Sequence, residues 1–163
     1  MKTHNGTRFF NDPAKTSYHL YTDACGKGIG GFFYKDGTPN WKDNIAQITS
    51  NNAYVVRLTS NDLLCPLDIN IFEVRATLVA IRLWGHLWTH QRLLLFTDNQ
   101  ATFHGISKGT LNSSANADLR KFLCLAAKLD ISIQPQWVEG ANNELADALS
   151  RFNEKAITNW CPH

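Results

Sequence analysis

The stretch Tyr21–Tyr34, YTDACGKGIGGFFY, decides between two folds. Its first, second and fourth glycines have the G-x-G-x-x-G spacing of a dinucleotide-binding turn, in which the glycines follow a strand and open a helix. The alternating residues Ser17–Thr22 predict the strand. Residues 29–34, however, are rich in glycine and aromatic side chains and favour a second strand over a helix. We therefore interpret the stretch as strand, glycine turn and strand, and Asp23 becomes the residue to explain.

The composition is that of one globular domain. The chain has 163 residues, of which 44% are hydrophobic, and a formal net charge of +2 that neither requires nor excludes a polyanionic partner. Its four cysteines form no C-x-x-C pair, so we expect reduced thiols in the cytoplasm or nucleus rather than zinc or disulfides. The N-terminal segment lacks the apolar core of a signal peptide, and no run approaches the about 20 apolar residues of a membrane span. We expect a monomer with no membrane contact.

The pattern along the chain predicts an α/β fold, a five-stranded mixed sheet flanked by helices. Expected strands cover 17–23, 28–35, Tyr54–Leu58, Leu93–Phe96 and Ile131–Val138; expected helices cover Asn70–Trp88, 99–106, Ala115–Leu129 and Asn143–Arg151. Asn70 is predicted to cap its helix, and Pro135 indicates an edge strand or a bulge. The domain is expected at 17–152, between a polar lead-in at 1–16 and a C-terminal tail at 153–163.

Four acidic residues occupy unusual places in this pattern. Asp23 and Asp98 end predicted strands, Glu73 lies in the first turn of a mostly apolar helix, and Asp147 stands among apolar helical residues. Each alone has an ordinary explanation as a turn, cap or surface residue. Together they predict a carboxylate cluster, because adjacent central strands would place Asp23 and Asp98 side by side. Such a cluster repels itself unless divalent cations neutralise it, and two cations held in this way hydrolyse phosphodiesters.

The ordered motifs resemble type 1 ribonuclease H. These motifs are T-D-x with glycines and a hairpin, a Glu on an apolar helix, T-D-N-Q at a strand end, and N-E-L-A-D-A-L on a terminal helix; they span roughly 17–152. The ending VEGANNELADALSR is more similar to ribonuclease H domains of retrotransposon polyproteins, of the DIRS or LTR type. The central stretch TDNQATFHGISKGTLNSSANADLRKFL resembles the DIRS type in particular. The resemblance implies a ribonuclease H-like fold, RNA–DNA hybrid as substrate, and a reverse transcriptase domain as a partner in cis or in trans.

The resemblance also implies roles for individual residues. Asp23, Glu73, Asp98 and Asp147 would be the catalytic, metal-binding set for two Mg²⁺ ions, with Mn²⁺ as a substitute. Asp23 would bridge both ions, Glu73 and Asp98 would hold the ion nearer the leaving group, and Asp147 the ion that activates water. Asn70 and Gln100 match residues that contact the minor groove of the hybrid. As ordinary alternatives, Asn70 is a helix cap and Gln100 an exposed helical residue.

Three departures from the family pattern leave alternatives open. The turn after Asp23 is short, residues 107–130 carry few basic side chains, and the loop before the last helix, 138–142, has no histidine. A catalytically silent module that binds nucleic acid or protein, and a DNA-cutting relative on the same fold, therefore stand beside the ribonuclease hypothesis, because the fold alone does not determine the activity.

Overall fold

The computed structural model describes residues 17–35, 48–49, 51–59 and 68–160. Five strands and five α-helices cover most of these residues. The strands are Ser17–Ala24 (β1), Gly28–Lys35 (β2), Ala53–Arg57 (β3), Arg92–Thr97 (β4) and Ser132–Trp137 (β5). The helices are Ile69–Trp84 (α1), Gln100–Lys108 (α2), Asn116–Lys128 (α3), Glu144–Ser150 (α4) and Glu154–Trp160 (α5), with short 3-10 turns at Gly85–Leu87 and Gly140–Asn142. The predicted lead-in at 1–16 lies outside the described residues.

The sheet is mixed, as predicted, with the strand order β3-β2-β1-β4-β5. Strand β1 pairs antiparallel with β2, and β2 with β3. Strand β1 also pairs parallel with β4, and β4 with β5. Pro135 therefore lies in an edge strand, where its missing N–H costs no ladder bond on the open side.

Helices cover both faces of the sheet. On one face, Leu20, Leu93 and Leu95 are fully buried and belong to the main core with residues of α1 and α3. On the other face, Tyr21 and Phe32 stack at 5.0 Å and pack with Leu145 and Leu149 of α4. The continuous apolar run of β4 predicts burial on both faces, but the second face of this strand is covered less completely, since Leu94 and Phe96 are only half-buried.

The start of α1 corrects one expectation. Asp68, not Asn70, is the N-cap, and its carboxylate accepts a hydrogen bond of 3.0 Å from the Asn70 backbone N–H. The sequence offers two competing polar residues here, and the aspartate two positions earlier satisfies the free N–H group. Asn70 consequently lies inside the helix, and its side chain is released from the capping role.

The C-terminal segment is more ordered than the sequence pattern suggests. A short helix, α5, occupies most of what was expected as a tail; the Asn153 side chain accepts a hydrogen bond from the Ala156 N–H at its start. Ile157 packs against the apolar cluster between α4 and the sheet. The described part of the chain contains no helix with the length and apolar character needed to cross a membrane.

Candidate metal centre at the ends of two parallel strands

The register of two parallel strands places two aspartates side by side. Tyr21 of β1 is opposite Phe96 of β4, so Asp23 and Asp98, each two residues further along, leave the sheet at the same edge. Asp23 is buried at 5% exposure, whereas Asp98, just beyond the end of β4, is half-buried. Parallel strands therefore bring together acids that lie 75 positions apart in the sequence, as the pattern predicts.

Helix α1 supplies a third carboxylate. Glu73 is buried at 4% exposure, and one oxygen from each of Asp23, Glu73 and Asp98 lies within 4.8 Å of the other two. The Oε2 atom of Glu73 is buried and has no hydrogen-bond partner within the described part of the chain. A buried carboxylate oxygen without a partner costs free energy unless a hydrogen-bond donor or a cation binds to it.

The electrostatics of the cluster follow from its burial. The pKa of Glu73 is raised to about 9. Burial is the largest cause, the nearby Asp23 and Asp98 add to it, and the Ala24 backbone hydrogen bond opposes it. Burial likewise raises the pKa of Asp23 to about 6, with contributions from Asp98 and Asp147 opposed by the hydrogen bond from Ser150. Without a cation, Glu73 therefore keeps its proton at neutral pH, whereas Asp23, with a pKa of about 6, is mostly ionised.

These donors fit a divalent cation. Three hard carboxylate oxygens within reach of one point, one of them without a protein partner, are the ligand type that Mg²⁺ and Mn²⁺ prefer. A cation would also offset the mutual repulsion that adds to the effect of burial on the two pKa values.

Asp147 lies beside this cluster rather than within it. Its carboxylate Oδ1 accepts a hydrogen bond of 2.6 Å from Arg151 Nε, four residues further along the chain, and its side chain is 41% exposed. It is nevertheless near enough to raise the pKa of Asp23. Of the four predicted acids, the structure groups three and leaves the fourth at the rim, paired with an arginine.

The two predicted substrate contacts lie at neighbouring helix starts. Asn70 Oδ1 accepts a hydrogen bond of 3.0 Å from Asn99 Nδ2, and Asn99 is also the N-cap of α2, where its own Oδ1 accepts from the Thr102 N–H at 2.7 Å. Gln100, the first residue of α2, is exposed. Asn99 therefore joins the segment that carries Asn70 to the segment that carries Gln100.

Two polar residues that the sequence pattern does not single out dock α4 onto β1. Asn143 Nδ2 donates to the Thr22 carbonyl at 3.1 Å, and the Ser150 hydroxyl donates to Asp23 Oδ2 at 2.5 Å. Both side chains are buried, at 1% and 0% exposure. The available signal is a pair of polar residues, one at each end of α4, on either side of Asp147.

Comparison with solved structures establishes the fold class. The chain is similar to an N-terminal ribonuclease H domain from Mycobacterium tuberculosis, with a TM-score of 0.60, 16% identity, and coverage of 88% of this chain and 97% of that one. It is similar to LC11 ribonuclease H1, solved in complex with an RNA/DNA hybrid, with a TM-score of 0.62, 14% identity, and coverage of 88% and 99%. The prototype foamy virus protease–reverse transcriptase matches with a TM-score of 0.50 and 16% identity over 90% of this chain and 21% of that one.

These likenesses show that the chain has a ribonuclease H-like fold. Comparisons of the sequence with protein-family models and with curated proteins found no match.

Proposed function

We propose that this protein is a divalent-cation-dependent endonuclease that hydrolyses the RNA strand of RNA–DNA hybrids. The observation that carries the proposal is the grouping of Asp23, Glu73 and Asp98 within 4.8 Å at one edge of a ribonuclease H-like sheet. A neighbour of the same fold was solved with an RNA/DNA hybrid, which supports hybrid as the substrate.

The four acids would hold two Mg²⁺ ions, or Mn²⁺ in their place. Asp23 would contribute to both ions, Glu73 and Asp98 to one, and Asp147 to the other after it releases Arg151. Bound divalent cations polarise the scissile phosphate and make water a better nucleophile. The role of the protein is to hold the carboxylates in place, and the burial of Asp23 and Glu73 keeps competing water away.

Selection of RNA would come from the helix starts beside the cluster. Asn70 and Gln100 would face the minor groove, where the 2′-hydroxyl groups lie and where RNA is distinguished from DNA. The Asn70–Asn99 hydrogen bond supports this assignment, because it orients the Asn70 amide without using it as a cap.

The biological setting that we propose is reverse transcription by a retrotransposon of the DIRS or LTR type, in the cytoplasm or nucleus. The ending VEGANNELADALSR supports it, as does the similarity to the prototype foamy virus protease–reverse transcriptase. The partner would be a reverse transcriptase domain, in cis or in trans.

The test is incubation of one labelled RNA or DNA strand with the protein and Mg²⁺ or Mn²⁺, presented as hybrid, as homoduplex and as single strand. We expect cleavage of RNA in the hybrid only. Salt-dependent hybrid binding without cleavage would instead identify a silent nucleic-acid-binding module, and equal cutting of DNA would identify a DNA-cutting relative.

A further inference from the structure

The last residue of α4 lies against the proposed bridging carboxylate. Ser150 is fully buried, and its Oγ lies 2.5 Å from Asp23 Oδ2. The carbonyl oxygen of Asp147, 3.0 Å away, is the other acceptor within reach. A hydroxyl group has a single proton, and a carboxylate is the stronger acceptor, so the proton of Ser150 points to Asp23.

The backbone around Ser150 is held in place independently of this hydrogen bond. Gly30 is opposite Asp23 in the β1–β2 ladder, and a Cβ atom added to it would lie 2.7 Å from both the Leu149 Cβ and the Ser150 backbone nitrogen. Only glycine allows α4 to approach the sheet this closely. The Cys25 thiol also donates to the Ser150 carbonyl at 3.2 Å. The hydroxyl group therefore projects from a fixed point.

We propose that Ser150 is a positioning residue that fixes the orientation of the Asp23 carboxylate for metal binding. The torsion that turns an aspartate carboxylate has broad minima, so burial alone does not set its plane. A short hydrogen bond from a fixed hydroxyl group restrains one oxygen and with it the direction of the other. This inference rests on the proposed metal site.

The size of the effect can be anticipated from other metal sites. Carboxylates that bind metal are themselves hydrogen-bonded by neighbouring groups, and loss of such a partner weakens metal affinity by about 10–100-fold. Because Ser150 does not touch the cation in this scheme, its removal should weaken binding without abolishing it.

The experiment measures Mn²⁺ binding to the full chain by isothermal titration calorimetry, without nucleic acid. Ser150→Ala is compared with wild type and with Ser132→Ala. Ser132 is an equally suitable target for the same substitution, because it is buried at 5% exposure at the opposite end of the parallel strands, at the start of β5. We expect about tenfold weaker Mn²⁺ binding for Ser150→Ala and wild-type affinity for Ser132→Ala.

Ser150→Cys separates positioning from general packing. It keeps a small side chain with a weaker donor, so its Mn²⁺ affinity should fall between wild type and Ser150→Ala, and it provides the test if the alanine variant does not fold. Wild-type Mn²⁺ affinity in a folded Ser150 variant would overturn the inference and leave the proposed function standing. Absence of Mn²⁺ binding by the wild type would overturn both.

Discussion

Asp147 and Arg151 form an ion pair across one turn of backbone at the end of α4, with Nε 2.6 Å from Oδ1. The two side chains are 41% and 60% exposed, so solvent screens the pair. The carboxylate that our proposal assigns to the second cation is thus held near the site by an interaction that is weak enough to be exchanged. The hydrogen bond to Asp147 also raises the pKa of the Arg151 guanidinium, so Arg151 stays protonated.

Removal of this pair should have little effect on folding. We expect Arg151→Ala to change the free energy of unfolding by less than about 1 kcal/mol, as exposed ion pairs do, and to retain hybrid cleavage at saturating Mg²⁺. Asp147→Asn should be equally stable but should lose cleavage. Urea unfolding and a cleavage assay on both variants make the comparison. Normal cleavage by Asp147→Asn would remove this residue from the proposed site.

Asp98 offers a direct test of the three-carboxylate cluster. Asp98→Asn should abolish cleavage and leave hybrid binding largely intact, because the amide keeps the shape but loses the charge that holds a cation. Asp130→Asn is the matched control, since Asp130 is an exposed aspartate just before β5, at the opposite end of the parallel strands. Full cleavage by Asp98→Asn, or equal losses in both variants, would contradict the assignment.

The raised pKa values predict how stability depends on pH without metal. Between pH 4.5, the ordinary value for Glu73, and about 9, its value in the fold, the unfolded chain loses this proton while the folded chain keeps it. The same holds for Asp23 between pH 3.8, its ordinary pKa, and about 6, its pKa in the fold. The folded state then binds more protons, so stability falls as pH rises and is greatest below the unfolded values.

We therefore expect the free energy of unfolding in EDTA to fall by about 4–5 kcal/mol from pH 5 to pH 8, most of it from Glu73. Glu73→Gln should remove most of this loss, whereas Glu154→Gln, which changes an exposed glutamate on α5, should not. Urea titrations at the two pH values measure it. A wild-type stability that rises over this interval would show that the Glu73 carboxyl is not held protonated.

The correction at the start of α1 sharpens a test of substrate contact. Asn70 is not the cap, so Asn70→Ala should change the free energy of unfolding by less than about 1 kcal/mol. Hybrid cleavage should nevertheless fall by about tenfold, the size expected from lost hydrogen bonds to the substrate. Asp68→Ala should show the reverse, losing about 1 kcal/mol of stability as a cap while it retains cleavage. Unchanged cleavage by Asn70→Ala would end its assignment to the minor groove.

The sequence predicts the structure where the spacing of apolar residues determines the type and position of an element. Alternation in β1, the apolar run of β4 and the glycine turn predict adjacent strands, and the parallel register then requires Asp23 and Asp98 to meet. It was uninformative where partners are distant. Ser150 lies 127 positions from Asp23, and Asn143 lies 121 from Thr22, so no local pattern indicates their hydrogen bonds. The sequence pattern does not predict helix α5, because this helix is short and is stabilised by the packing of Ile157 more than by the helix propensity of its residues.

The loop before α4 leads to the last prediction. Residues 138–142 contain no histidine, so the site lacks the imidazole that the ribonuclease H resemblance would place there as a proton carrier. His104, on α2, is exposed, and its ring contacts Phe103 at 5.1 Å between centroids. We interpret His104 as a surface residue and not as a substitute for the absent loop histidine.

General acid–base assistance is worth about 10²–10⁴-fold, and without it the attacking water must lose its proton with little help from the protein. The cleavage rate at saturating Mg²⁺ should therefore rise steadily between about pH 7 and 9, with no inflection near about 6.5, the ordinary pKa of histidine. A pH–rate profile of the wild type beside His104→Ala measures this, with His86→Ala as the control for loss of an exposed histidine elsewhere. An inflection near pH 6.5 that disappears only in His104→Ala would show that His104 has taken the proton-carrying role.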